Sequence, residues 1–469
     1  MGRFCVAMVC DFFFPNIGGV ENHIYELSQH LLMKGIKVVV VTHNYGNRKG
    51  IRWFKNGLKV YYIPRLCVFR HSTFPTLIGP IELLRDIFIR EQVNLFHGHT
   101  SYSTLVHEAI FTANRMKIPC CITEHSLTGS GEIGADIINF ICRWTVVGVD
   151  QVICVSKACQ NNYAIRTKMD PNTIQVITNA VDVEQFSPRT EEEEAKREEE
   201  KRRQHRENHI VVTILSRLTY RKGTDLMISV IPQICKKYDY VDFYIGGDGD
   251  RRIDVEQMIE TEQLKDRVIT FGNIHHSKAR DFLIKGDIFL NCSLTEAFGI
   301  AILEAACSGL FIVATNVDGV PEVLPSHMIK LCDPNTISVF CGLSWAIENF
   351  HSFNARMFHD ELVPLYSWEA IATRTISVYK QSVNVTRKKP NDFIKRFFQM
   401  GAFPGILFSL HLIFFSMIFL IICGLSPAKL IEPAINYPSP VDGEKEIAHT
   451  SKSNWRLEKE SQDSCIGVP

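Results

Sequence analysis

Short runs of β-branched and aliphatic residues alternate along the chain with stretches whose apolar positions recur every three or four residues. Residues 3–9, 37–42, 58–63, 94–97, 120–123, 151–155 and 175–178 form a first series of strand-like runs. Between the first two, Val20, Ile24, Leu27 and Leu31 fall on one helical stripe that Gly35 closes. The alternation resumes over 210–215, 242–245, 268–271, 288–291, 311–314 and 329–331. Strand followed by helix, repeated, predicts a parallel sheet covered on both faces. Two such series predict an α/β chain of two doubly wound, Rossmann-like domains, 1–186 and 209–365. The connection 187–208 contains EEEEAKREEEKRR, which cannot build a core. Its mixed signs at helical spacing predict a solvated helix or linker. A helical stretch at 368–379 then leads, within 366–402, to a basic segment.

No Asp, Glu, Lys or Arg occurs between Arg396 and Lys429, and 403–425 is almost wholly apolar, long enough to cross a hydrocarbon core. Arg387, Lys388, Lys389, Lys395 and Arg396 precede this span, whereas Lys429 stands nearly alone after it. The positive-inside rule therefore predicts cytoplasmic domains and a lumenal tail, 426–469, whose polar, proline-containing sequence reads as disordered. Asn384 of the sequon Asn384-Val-Thr386 should then stay unmodified. The N-terminus reads as a first strand rather than a signal peptide; Val6 argues against myristoylation, and Cys465 is misplaced for prenylation. The 51 basic and 51 acidic residues cancel, so no nucleic-acid partner is implied. The 15 cysteines form no CxxC pair, and several lie in apolar runs, as expected of reduced, buried thiols.

Chemistry concentrates at predicted strand ends, where ligands bind in open α/β sheets. The run Thr295 to Glu304 follows the strand 288–291 and holds two carboxylates, Glu296 and Glu304, with Phe298, Gly299 and Ile300 between them. Gly299 permits close backbone approach, and the amides of the following helix can receive a diphosphate. Glu304, an acceptor-only group within that helix, suits ribose hydroxyls. A glycosidase pair is the competing chemistry, but eight helical residues rise about 12 Å, more than the ~5–9.5 Å between working hydrolase carboxyls. That argument loses force if Glu296 lies off the helix. Arg217 and Lys222, in SRLTYRKG after the strand 210–215, can clamp phosphate oxygens. Gly246 to Gly249 reads as cleft wall. In the first domain Gly18 and Gly19 precede a helix, so that a phosphate or sugar can come close. His125 ends the strand 120–123 and should point toward the same cleft. Asn47, Arg48 and Lys49 lie in a basic loop ahead of Trp53 that could meet a lipid phosphate.

These motifs resemble the retaining glycosyltransferases of family 4 and their GT-B fold over nearly all of 1–380. DFFFPNIGGVENHIYELSQHL, VTHNYGNRKGIR, TEHS, ITNAVD, SRLTYRKG, NCSLTEAF and GVPEVLP resemble the phosphatidylinositol-directed branch, as does the single C-terminal span. The resemblance implies transfer of N-acetylglucosamine (GlcNAc) from UDP-GlcNAc to phosphatidylinositol, the first step of glycosylphosphatidylinositol (GPI) anchor synthesis, on the cytoplasmic face of the endoplasmic reticulum. It also implies a multisubunit membrane complex and no metal or other cofactor. Arg217 and Lys222 would stabilise the departing diphosphate, Glu304 would hold ribose, Glu296 would contact the donor sugar, and His125 would sit near the reacting centre. A GDP-mannose-dependent relative, or a non-catalytic scaffold subunit keeping the fold, are the alternatives.

Overall fold

The strands before the charged connection are β1 (Cys5–Val9), β2 (Lys37–His43), β3 (Gly50–Trp53), β4 (Lys59–Ile63), β5 (Cys67–Phe69), β6 (Ser72–Thr73), β7 (Leu95–His99), β8 (Cys120–Glu124), β9 (Gln151–Cys154) and β10 (Ile174–Val176). They come from a computed structural model that describes residues 4–435 except 17, 70, 77, 130–132, 204–207, 351–352 and 386–389. The tail beyond 435, Arg387, Lys388, Lys389, and Thr386 of the sequon lie outside the described residues, as do Met1 and Gly2. Eight strands form one sheet in the order β10-β9-β8-β7-β1-β2-β4-β3. All neighbours pair in parallel except β3, which runs antiparallel to β4. Residues Val6–Val9 and Val38–Val41 are buried on both faces, which is why these strands read as continuous apolar runs. The edge strand β3 and the separate β5–β6 hairpin were not expected from the sequence. The residues of β3, GIRW, are all exposed and carry no period-two pattern.

The second domain holds β11 (Ile210–Leu215), β12 (Val241–Gly246), β13 (Val268–Gly272), β14 (Ile288–Asn291), β15 (Phe311–Thr315) and β16 (Ile329–Cys332). Their order is β13-β12-β11-β14-β15-β16, parallel throughout. Strand order across each sheet reverses beside its first strand, at β1/β7 and at β11/β14. Ligand crevices of doubly wound sheets lie at such switch points. The cysteines expected to be buried (Cys154, Cys292, Cys332) are buried and free.

Three segments depart from simple two-domain packing. The helix Trp368–Asn384 returns to the first domain, where Ile371, Ala372 and Tyr379 enter its core and the Tyr379 hydroxyl meets His97 Nδ1 at 2.7 Å. The charge run forms the helix Glu191–Arg203, with exposed pairs such as Lys196–Glu192 one turn apart. It is not simply solvated, however. Arg197 forks onto both oxygens of buried Asp287 at 2.6 Å, and Arg280 pairs with Glu193 at 2.8 Å, so one face is bound to the second domain. Finally, Ala402–Leu425 is one continuous helix, long and apolar enough to cross a membrane by length and composition. Phe408 stacks on Trp144 at 4.8 Å, and Phe415 meets Phe111 at 5.5 Å, so one stripe packs on the first domain while the remaining apolar face stays exposed.

Candidate functional site

Between the two sheets lies a cavity of about 830 Å³, lined from one side by Gly18 and Gly19 and from the other by Arg217, Gly247, Ile300 and Glu304. Each group stands just beyond a strand end or on the helix that follows, so the folding pattern itself delivers them to one cleft. Gly18 lacks a side chain for a local reason. A Cβ there would lie 2.5 Å from Glu21 Oε2, because the Glu21 carboxylate folds back to accept the Asn16 amide. Gly19 faces the other domain, 3.5 Å from Ile300 Cδ1 measured from an ideal Cβ. Ile300 opens the helix Ile300–Cys307 behind Gly299, whose φ of +93° is left-handed. No side chain caps this helix, and Ile302 N already donates to Gly299 O at 3.0 Å, so the amides of Ile300 and Ala301 are the ones that can meet an anion at the cleft.

Lys222 and Glu296 do not line the cavity; they pair with each other through Nζ and Oε2 at its margin. The turn carrying Lys222 is fixed to the loop after β14 by Leu294 N donating to Arg221 O at 3.0 Å. Glu296 lies off the helix, before Gly299, so the helical-rise objection to a glycosidase pair does not apply. Its carboxylate is nonetheless engaged by Lys222 and is not a free acid or base. Glu304 is buried on the helix, and its Oε1 lies 3.1 Å from His276 Nε2. The hydrogen bond to Glu304 raises the His276 pKa. The Phe298 side chain is buried beside Tyr366 and does not line the cavity.

His125 is held by its neighbour. Buried Glu124 accepts from the backbone amides of His125 and Ser126, each at 3.0 Å, and from Ser101 N at 3.1 Å. His99 Nε2 faces Met8 Sδ at 3.4 Å; the thioether has no proton, so this nitrogen carries the hydrogen. His99 Nδ1 is then the bare nitrogen and accepts from His125 Nε2 at 3.2 Å, which leaves His125 Nδ1 as an acceptor. The His125 ring lies 4.6 Å from that of His23, a cavity-lining residue. Burial holds His23, His99 and His125 neutral by pushing their pKa values down, to about 4 for His23. Their ligand-capable nitrogens lie within 4.8 Å of one another.

Comparison with known proteins decides the family. Residues 43–132 match the family model for PIGA (GPI anchor biosynthesis), and 195–339 match Glycosyl transferases group 1. The chain is 41% identical over 429 residues to a phosphatidylinositol N-acetylglucosaminyltransferase subunit from Arabidopsis thaliana, covering 92% of this chain and 93% of that one. It is 39% identical to the gpi3 subunit of the same transferase from Schizosaccharomyces pombe, covering 92% of each. This chain belongs to the PIGA family of phosphatidylinositol N-acetylglucosaminyltransferase subunits. Its fold is also that of the sucrose-phosphate synthase of Thermosynechococcus elongatus, at a TM-score of 0.65 and 18% identity over 81% of this chain and 99% of that one. The GT-B architecture expected from the motifs is thereby shown.

Several cleft residues of this family member escaped the sequence reading: His23, Glu26, Asn179, His276 and Trp368. His276 was reachable, since it lies in the loop after β13. Trp368 was not, because it enters the cleft only through the return of the C-terminal helix. Asn47, Arg48 and Lys49 are absent from the cavity lining; Arg48 instead lies over the Tyr62 ring at 5.9 Å.

Proposed function

We propose that this chain is the catalytic subunit that moves GlcNAc from UDP-GlcNAc to phosphatidylinositol, the first step of GPI-anchor synthesis, with retention at the anomeric carbon. The observation that carries the proposal is the facing of Arg217, Ile300 and Glu304 on one domain with Gly18 and Gly19 on the other, in a member of this family. In this reading Glu304 accepts from ribose hydroxyls, and Arg217 with the amides at Ile300 meets the diphosphate. Lys222 exchanges part of its bond to Glu296 for the leaving phosphate, which frees Glu296 for the donor sugar. These groups meet the diphosphate charge without a metal. The C1–O bond breaks with its electron pair passing to UDP. An inositol hydroxyl attacks C1 from the same face and gives its proton to the departing phosphate oxygen. Trapping a covalent glycosyl-enzyme would refute this step. Neutral His125, with Nδ1 as acceptor, orients a sugar hydroxyl near that centre.

The helix Ala402–Leu425 anchors the chain in the endoplasmic reticulum membrane, with the domains cytoplasmic and the tail lumenal, inside a multisubunit complex. Glycan on Asn384 would reverse this orientation. Purified complex supplied with phosphatidylinositol should form product from UDP-GlcNAc and ignore GDP-mannose; preference for GDP-mannose would select the other donor.

A further inference from the structure

The two domains also meet at a second place, outside the cavity lining, where polar bonds cross beside one buried apolar cluster that holds Val155 and Cys159 together with Ala297, Val320 and Val323. The helix Lys157–Thr167 of the first domain begins against the second domain. Glu322 reaches across and accepts from two of its free N-terminal amides, Lys157 N at 2.5 Å and Ala158 N at 2.8 Å. Such charge-assisted bonds at a helix N-terminus are strong and directional. Beside them Ser156, the N-cap of the same helix, accepts from Cys159 N and donates to Ala297 O at 2.5 Å.

Ala297 is the residue after Glu296, and the two gripping loops are joined to each other. Glu296 N donates to Asp318 Oδ2 at 3.2 Å, and Gly319 N donates to Glu296 O at 3.0 Å. Gly319 has no room for a side chain, since a Cβ would stand 2.1 Å from Ala297 O and 3.0 Å from Ser156 Oγ. The backbone around Glu296 is thus bonded to the loop 316–322, and both are bonded to the start of one helix in the other domain. The Glu296 backbone therefore cannot be displaced without straining or carrying this contact.

We infer that Glu322 is a positioning residue that latches the cleft closed and couples closure to occupancy of the sugar site at Glu296; this rests on the transferase reading above. A two-domain cleft must open to admit a nucleotide sugar and to release the nucleoside diphosphate, and closure assembles the reacting groups. Glu322 acts on that equilibrium without touching substrate. Its two bonds to exposed-rim amides can break and reform, whereas each domain's sheet core persists in both states.

The test is amide exchange read by mass spectrometry on the full chain in its complex, together with steady-state kinetics. UDP-GlcNAc should slow exchange at Lys157 and Ala158 in the wild type. Glu322→Ala should speed exchange there and lower kcat about tenfold, equivalent to ~1.4 kcal/mol. The KM for UDP-GlcNAc should move less than about twofold, because Glu322 touches none of the groups that line the donor cavity. Glu322→Gln keeps an acceptor oxygen and should fall between the two; it supplies the reading if the alanine variant does not assemble. Unchanged exchange in either variant, no response to UDP-GlcNAc, or faster exchange at unaltered kcat would each overturn the latch. A wild-type complex that transfers no GlcNAc would instead overturn the functional reading, while the exchange response still judges the latch.

Discussion

Replacing Gly223 by alanine should disable the enzyme without unfolding it. Gly223 follows Lys222 with φ of +70°, and an ideal Cβ there would lie 1.8 Å from Cys292 O and 2.6 Å from Cys292 C. Both are backbone atoms just beyond β14, so no side chain can swing away. The left-handed conformation costs a non-glycine residue ~1–2 kcal/mol. Relief of the clash moves the turn by more than about 1 Å, and a misplacement of that size can cost ~10²-fold in rate. The displaced segment is the one that sets Lys222 against Glu296. Gly35→Ala is the matched control, since Gly35 has φ of +77° and nothing within 4 Å of its ideal Cβ. It carries the backbone cost alone. The assay is incorporation of labelled GlcNAc into lipid by microsomes lacking the endogenous chain, normalised to the amount of each variant. We expect about a hundredfold loss for Gly223→Ala and nearly full activity for Gly35→Ala. Equal rates for the two variants would refute the reasoning.

Other outcomes follow from the same geometry. Glu304→Gln should raise the KM for UDP-GlcNAc by about tenfold, the worth of one charge-assisted bond to ribose, with a smaller change in kcat. Arg197→Ala leaves buried Asp287 with only Arg189 at 3.5 Å and Lys201 at 4.0 Å as ion-pair partners among the described residues. It should cost about 2 kcal/mol or more of stability in thermal unfolding, with KM unchanged. Burial depresses His23 and His107 to about 4 and His97 to about 3. A depressed histidine gives stability that is complete above the unfolded value near 6.5 and is lost as pH falls toward the folded value. The melting temperature of the two α/β domains should therefore drop steadily between about pH 6.5 and 4.5, and a flat profile would contradict the burial of these rings.

The parallel strands were legible because strands buried on both faces are apolar throughout, and β11 and β14 match the expected ranges residue for residue. β3 was not, since an exposed edge of GIRW is held by its hydrogen bonds to β4 and not by a pattern. The charge run showed its helix through pairs one turn apart, but not its docking. Nothing local to Arg197 points to Asp287, ninety residues away. The cleft chemistry was legible where it follows strand ends, at Gly19, Arg217 and Glu304. Lys222 and Glu296 were each expected to be ligand groups, but their mutual pairing is a tertiary fact. Phe298 was expected at the ligand from its motif position, and the burial of its ring beside Tyr366 was not legible there.

The most direct test of the account is GlcNAc-phosphatidylinositol formation by microsomes in which the only copy of the chain carries Lys222→Ala or Glu296→Ala. The paired groups at the cleft margin should each be needed, with product falling about a hundredfold or more in both variants while the complex stays assembled. Undiminished product from either variant would mean that the cleft between Gly19 and Glu304 is not where GlcNAc is transferred.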